Sequence, residues 1–192
     1  MENRPKVLLI ITLDTKELEA RFIRQCLEAN GLEVYHLDAS VRPAAGGGAD
    51  ITPEQIAAAA GTTMEEVRAL NHEAMCLEVM IRGAVPCARE LDARVGLSGI
   101  IGAGGALGTA LATAVMRAFP FGLPKVMIST LASGMTRPFV GTKDIVMFNS
   151  ICDVLGLNSR LRRVFENAAL AISGMAHGYR PFAPSGKPLV LI

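Results

Sequence analysis

The sequence has little of what nucleic-acid-binding proteins are built from. None of its 192 residues is tryptophan and only 5% are aromatic, so we expect no platform of rings on which single-stranded bases could stack. The chain also has no excess of positive or negative charge, because 19 lysines and arginines against 18 aspartates and glutamates leave a formal net charge of +1. A near-neutral chain offers no net field that would attract nucleic acid or an anionic membrane.

Cysteine is sparse, and its spacing excludes the usual cysteine-based sites. Cys26, Cys76, Cys87 and Cys152 form no C-x-x-C pair, and no histidine lies at zinc-ligand spacing from them. Free thiols scattered in this way are typical of a reducing compartment, so the sequence predicts a cytoplasmic protein.

A membrane-spanning segment is not expected either. The N-terminus has no long apolar segment followed by a cleavage site. Residues 95–116 carry no charge and are long enough to cross a bilayer, but they consist largely of glycine, alanine, serine and threonine. With 51% hydrophobic and 19% charged residues, the chain instead has the composition of a globular domain with a large core.

The sequence does contain a repeated alternation of strand-like and helix-like segments. Residues 6–12 form a continuous apolar run with β-branched members, which is typical of a strand buried on both faces. Further strands are predicted at residues 32–37, 97–101, 124–129 and 144–148. This alternation indicates a Rossmann-like α/β fold, in which a mainly parallel sheet carries helices on both faces in three layers. We expect one domain over residues 1–186, with the apolar residues 187–192 beginning a second.

Several helix boundaries follow from local signals. Asp14 and Glu17 have the spacing of a capping box at the start of the first helix. Gly83 and Pro86 are expected to interrupt a later helix. Another helix is expected to begin at Thr109, directly after a glycine-rich loop.

Three loops follow predicted strands, at the edge where open α/β sheets bind ligands. In residues 12–16 a strand meets a helix N-terminus, and Lys16 opposes the helix dipole unless an anion is bound. A solvated lysine on an ordinary helix explains that position equally well. Residues 102–109 are rich in glycine and allow backbone N–H groups to approach a phosphate, although a glycine turn that permits close helix packing gives the same pattern. Residues 129–134 supply hydroxyl groups and small side chains.

Isolated carboxylates give weaker signals. Asp38 ends the second strand, where doubly wound folds place a carboxylate for a ribose hydroxyl, but it could also be a capping or solvated residue. Asp144 and Asp153 could hold Mg²⁺ through the phosphates of a nucleotide, although such carboxylates are more often surface residues. No serine, histidine and acid occur in the order and context of a catalytic triad, so no catalytic residue is predicted.

Taken together, the three loops resemble the ATP-binding domain of the family that includes the tomato mosaic virus resistance protein and its bacterial and fungal relatives. The segments that carry the resemblance are Thr12-Leu-Asp-Thr-Lys16, Gly102-Ala-Gly-Gly-Ala-Leu-Gly-Thr109 and Pro124-Lys-Val-Met-Ile-Ser-Thr-Leu-Ala-Ser-Gly134. Residues 140–145, 153–158 and 171–175 continue it. In the glycine loop, Ala106 and Leu107 replace the serine and glycine that the family usually has.

The resemblance implies that ATP, with Mg²⁺ as a candidate companion, binds between the strand-end loops, and that a second α/β domain accompanies this one. Carried over by position, the implied contacts are Thr12, Asp14, Thr15 and Lys16 in the first loop, Gly104, Gly105, Gly108 and Thr109 in the second, and Ser129, Thr130, Ala132 and Ser133 in the third. The base and ribose could lie toward Asp38 or toward the third loop.

We therefore expect an ATP-binding module that regulates or oligomerises a larger two-domain protein. A homo-oligomer is expected because the hydrophobic content leaves apolar surface to cover. The alternative is one half of a phosphoryl- or acyl-transfer enzyme, whose catalytic residues lie partly on the other domain. A dinucleotide-dependent oxidoreductase is disfavoured because the first strand–helix turn lacks a G-x-G-x-x-G motif.

Overall fold

A computed structural model describes residues 4–43 and 48–182 of the chain, and these residues form an alternating series of strands and helices. In chain order the elements are β1 (Lys6–Ile10), α1 (Leu13–Ala29), β2 (Glu33–Leu37), α2 (Pro53–Ala59), α3 (Met64–Ala69), α4 (Glu73–Val95), β3 (Gly99–Gly104), α5 (Ala106–Arg117), β4 (Lys125–Ser129), α6 (Arg137–Val140), β5 (Val146–Asn149) and α7 (Ser159–Gly178).

The five strands form one sheet in the order β2-β1-β3-β4-β5, and every neighbouring pair is parallel. The predicted Rossmann-like α/β fold is therefore confirmed. The chain leaves β1 toward β2 on one side and returns to β3 on the other, so the order reverses between β1 and β3. In doubly wound folds that reversal opens a crevice beyond the carboxyl ends of the two strands. The predicted second-domain start at 187–192 lies outside the described residues.

The alternation of side chains along the buried strands builds two cores. Leu8 and Ile10 of β1 face one core, which helices α2 to α5 cover, while Val7 and Leu9 face the other, which α1 and α7 cover. Because both faces of β1 are buried, its sequence is a continuous apolar run rather than an alternating one.

The prediction that Gly83 and Pro86 interrupt a helix is wrong. Helix α4 runs through both residues from Glu73 to Val95. Gly83 lies where α2 crosses α4 so closely that a Cβ atom would fall 1.9 Å from the carbonyl oxygen of Ile56. The glycine is therefore required by helix packing rather than by a break in the helix.

The beginnings of α1 and α5 also differ from the predictions. The N-cap residue of α1 is Thr12 rather than Asp14, and the Thr12 side chain makes no capping hydrogen bond. Within the first turns of the helix, Lys16 departs from helical geometry. Strand β3 continues through Gly104, and α5 begins at Ala106 rather than at Thr109. Strand β3 also packs tightly against α5, because a Cβ atom on Gly102 would lie 2.7 Å from that of Ala112.

Two further observations concern the surroundings of the protein. All four cysteines are free. Among the described residues, no helix combines the length and the apolar character that crossing a membrane requires.

Candidate functional site

A cavity of about 650 Å³ lies at the carboxyl edge of the sheet, where β1 and β3 diverge. Its walls come from the loops after β1, β2 and β3 and from the junction of α3 with α4. The residues predicted from sequence that line it are Thr12, Asp14, Thr15, Lys16, Gly105 and Gly108. The fold thus brings the first loop and the glycine loop together in the wall of one cavity.

Three helices begin at this cavity. Thr12 precedes α1, Gly105 precedes α5, and His72 precedes α4, and all three residues line the cavity. Neither His72 nor Gly105 caps its helix through a side chain. Each helix N-terminus carries roughly half a positive charge, so the N-termini of α4 and α5, which no side chain caps, favour an anionic ligand.

Cationic side chains add to this field. The cationic residues Lys16, Arg42 and Arg68 line the cavity, compared with two acidic ones, Asp14 and Glu73. Among the described residues, the ion pairs found include none of these three cations. Arg68 donates from Nε to the carbonyl of Val41 at 2.8 Å, which ties the loop after β2 to α3.

The glycines of the second loop divide into two kinds. A Cβ atom on Gly104 would lie 3.0 Å from the Cα atom of Gly108, a tighter contact than nearly all real Cβ atoms make, so packing favours a glycine at position 104. A Cβ atom on Gly105 would come no closer than 3.9 Å to another part of the protein, and one on Gly108 no closer than 3.6 Å. Neither of these two residues has a positive φ. Neither packing nor backbone conformation therefore requires glycine at 105 or 108, and both residues face the cavity.

Asp38 is placed beside the cavity but turned away from it. The side chain is 3% exposed, and its Oδ1 atom accepts hydrogen bonds at 3.0 Å from the backbone N–H groups of Leu13 and Ser40. The hydroxyl of Ser40 accepts from the N–H groups of Leu13 and Asp14 at 2.9 and 3.0 Å. These two side chains of the β2 loop therefore serve the donors at the start of α1.

The hydroxyl groups of Thr109 and Ser129 bind each other. Both residues are fully buried, and their oxygen atoms lie 2.7 Å apart. Ser129 Oγ also accepts from the N–H group of Leu131 at 3.0 Å, which joins the third loop to the first turn of α5. The remaining residues implied for the third loop, Thr130, Ala132 and Ser133, do not line the cavity, and neither does Gly104.

The two carboxylates considered for Mg²⁺ lie elsewhere. Asp144 is held at the opposite, amino-terminal side of β4, where it accepts from Lys125 at 3.0 Å and from the N–H group of Gly122 at 2.7 Å. Asp153 is exposed and is not part of the cavity wall. In residues 4–43 and 48–182, no three His, Cys, Asp or Glu side chains are grouped so that they could hold a metal ion.

A buried histidine forms a hydrogen bond with the backbone just after β1. His36 is 4% exposed, and its Nε2 atom lies 2.9 Å from the carbonyl oxygen of Ile11. Burial lowers the pKa of this imidazole below its usual value. The neutral ring therefore donates to the carbonyl and adds no charge behind the cavity.

One wall of the cavity was not anticipated from the sequence. It consists of Arg68, Asn71, His72, Glu73, Cys76, Leu77 and Met80, from α3, α4 and their junction. Cys76 and Met80 are also core residues, 6% and 0% exposed. Apolar positions at helical spacing look the same whether a helix faces a core or a cavity, so periodicity alone gave no signal.

Comparison with known proteins gives a consistent match over nearly the whole chain. The model of the family described as "Uncharacterised protein family (UPF0261) N-terminal domain" matches residues 5–181. A UPF0261 protein of Clostridium tetani is 40% identical, and the match covers 96% of this chain and 46% of the relative's own length. A UPF0261 protein of Mesorhizobium japonicum is 38% identical, and the match covers 96% of this chain and 45% of that relative. The ToMV resistance protein Tm-1(GCR237) of Solanum lycopersicum is 30% identical over 92% of this chain and 25% of its own length. The chain thus spans less than half the length of these relatives.

Proposed function

The chain belongs to the UPF0261 N-terminal domain family, and we propose that it binds a mononucleotide by its phosphates, with ATP the first ligand to test. The observation that carries the proposal is the pair Gly105 and Gly108. Both positions have space for a Cβ atom within the protein, and both face a cavity that helix N-termini and three cationic side chains also line. A phosphate that lies against this backbone would occupy the space that a Cβ atom would fill.

The phosphates then lie between the glycine loop and Lys16. The uncapped first turn of α5 supplies backbone donors, and the ammonium group of Lys16, which lines the same cavity, supplies a full charge. The resemblance of both loops to the ATP-binding domain of the family supports this arrangement. Two carboxylates line the cavity, and Asp14 is the one that belongs to the same loop as Lys16, so it would share an accompanying Mg²⁺ with phosphate oxygens.

Calorimetric titration with ATP, with and without Mg²⁺, tests the proposal. Lys16→Ala should weaken binding by roughly 1.5–3 kcal/mol, or about 10- to 150-fold, since it removes a charge-assisted hydrogen bond. Lys143→Ala is the matched control, because it removes the same charge near Phe119, beyond the other end of α5. If the parent chain does not bind ATP, or if Lys16→Ala binds it as well as the parent does, this function is wrong.

Release of phosphate from bound ATP distinguishes the two roles that the sequence leaves open. We propose a binding module within a longer protein, because the chain spans less than half the length of its relatives. A burst or steady release of phosphate by the chain alone would favour the enzyme alternative instead. The same assay on a full-length relative tests whether the rest of the protein completes a catalytic site.

A further inference from the structure

The polar residues that the sequence offers for the base and ribose are engaged with the protein itself. Asp38 accepts N–H groups of the loops after β1 and β2, and it is 3% exposed. Ser129 is fully buried against Thr109 and the N–H group of Leu131. Neither residue lines the cavity. A nucleotide with its phosphates at Gly105 and Gly108 must therefore place its base against another wall.

The remaining wall is apolar and belongs to α4. Cys76, Leu77 and Met80 line the cavity from this helix, and Leu111 of α5 and Val41 of the β2 loop continue the same surface. All five pack in or against one core cluster, so the wall is held in place by the fold. Ligand cavities usually hold the uncharged ring of a ligand on such a wall and orient it with a few polar groups.

Polar groups of that kind lie at the end of the apolar wall. Asn71, His72 and Glu73 line the cavity at the junction of α3 with α4, and all three are exposed. Asn71 has a φ of 47°, a conformation that asparagine adopts more readily than most residues. Their amide, imidazole and carboxylate groups can donate to and accept from the edge of a base.

We infer that the α4 wall is the base subsite of the proposed nucleotide site: a purine base packs on Leu77, and its polar edge faces Asn71 to Glu73. This inference rests on the proposed function. Leu77 is the residue to test, because it is half-buried, whereas Cys76 and Met80 are needed in the core. A cavity of about 650 Å³ has room for a purine ring together with ribose and phosphates.

The test compares ATP with inorganic tripolyphosphate, which has the phosphates and no base. In the parent chain, calorimetry should show ATP binding at least about tenfold more tightly than tripolyphosphate. Leu77→Gln should weaken ATP binding about tenfold and leave tripolyphosphate binding unchanged. Leu77→Met keeps an apolar side chain of similar volume, so it should bind both ligands as the parent does. Leu170→Gln is the matched control, since it changes a leucine of α7 that is 56% exposed on the other side of the sheet.

The possible results separate this inference from the proposed function. If neither ligand binds the parent, the proposed function fails and the base subsite fails with it. If ATP binds but tripolyphosphate binds as tightly, or if Leu77→Gln binds ATP as the parent does, the base lies elsewhere and the nucleotide function stands. An equal loss of both ligands in Leu77→Gln also overturns the inference, because a base contact cannot act on a ligand without a base. The comparison of ligands on the parent requires no variant, so equal binding of the two ligands would overturn the inference even if Leu77→Gln does not fold.

Discussion

Replacing Gly108 with alanine should make the fold more stable and ligand binding weaker. Gly108 lies in the first turn of α5, and a Cβ atom there would meet the carbonyl oxygen of Ala103 at 3.6 Å, an ordinary contact. Alanine is favoured over glycine within a helix by roughly 0.5–1 kcal/mol, so the free energy of unfolding should rise by up to that amount. For a chain of this size such a change raises the Tm by about 1–4 °C.

The same methyl group should displace a bound phosphate from the backbone of α5. The loss of one charge-assisted hydrogen bond costs roughly 1.5–3 kcal/mol, which weakens ATP binding about 10- to 150-fold. Calorimetry gives the affinity, and thermal melting without ligand gives the stability of the same protein. Gly104→Ala is the control, because its Cβ atom would lie 3.0 Å from the Cα atom of Gly108 and should lower the Tm. A Gly108→Ala protein that is more stable and binds ATP as tightly as the parent would refute the placement of the phosphates.

Three further predictions concern the fold and its assembly. Gly83→Ala should destabilise the protein by roughly 1–3 kcal/mol or more in denaturant unfolding, because its Cβ atom would fall 1.9 Å from the carbonyl oxygen of Ile56; unchanged unfolding would contradict the close packing of α2 on α4. Burial alone would raise the pKa of Asp144, but the hydrogen bonds from Gly122 and Lys125 hold it below its usual 3.8. The carboxylate therefore stabilises the fold above that value, and the stabilisation is lost as the pH falls through the lower folded-state pKa. Asp144→Asn should lower the free energy of unfolding by about 1–2 kcal/mol at pH 7, and the difference from the parent should shrink below pH ~4 in urea titrations; a difference that is independent of pH would be the contrary result. Finally, Met135, Ile151 and Leu155 are 77%, 67% and 65% exposed, so we expect the chain to self-associate at micromolar concentration; light scattering that gives the mass of one chain would count against this.

The fold was predictable from the sequence because its strongest signals are local. The apolar run of β1 is buried on both faces, as a continuous run of this kind predicts. Gly83 was misread because its role depends on a second element. This glycine allows α4 to approach α2 closely, and a single chain segment does not show which element lies opposite it.

The candidate site was predictable only in part, for a related reason. Polar residues at the carboxyl ends of strands can bind a ligand, but buried loop N–H groups require acceptors as well. Asp38 and Ser129 accept such groups, while Lys16, which lies in the same set of loops, lines the cavity. The sequence cannot separate these two uses, since both need the same side chains at the same strand ends.

The distinction between glycines that the fold requires and glycines that it does not is therefore the more informative signal at this site. A structural glycine has a neighbour where its Cβ atom would be, as Gly102 and Gly104 have. Gly105 and Gly108 have no such neighbour, and alanine at position 108 would suit the helix better. Glycine at position 108 thus costs stability that nothing else in the described part of the fold accounts for. A ligand that needs the open backbone supplies the missing reason. Gly108→Ala tests it, because fold stability and ligand affinity can be measured on the same protein.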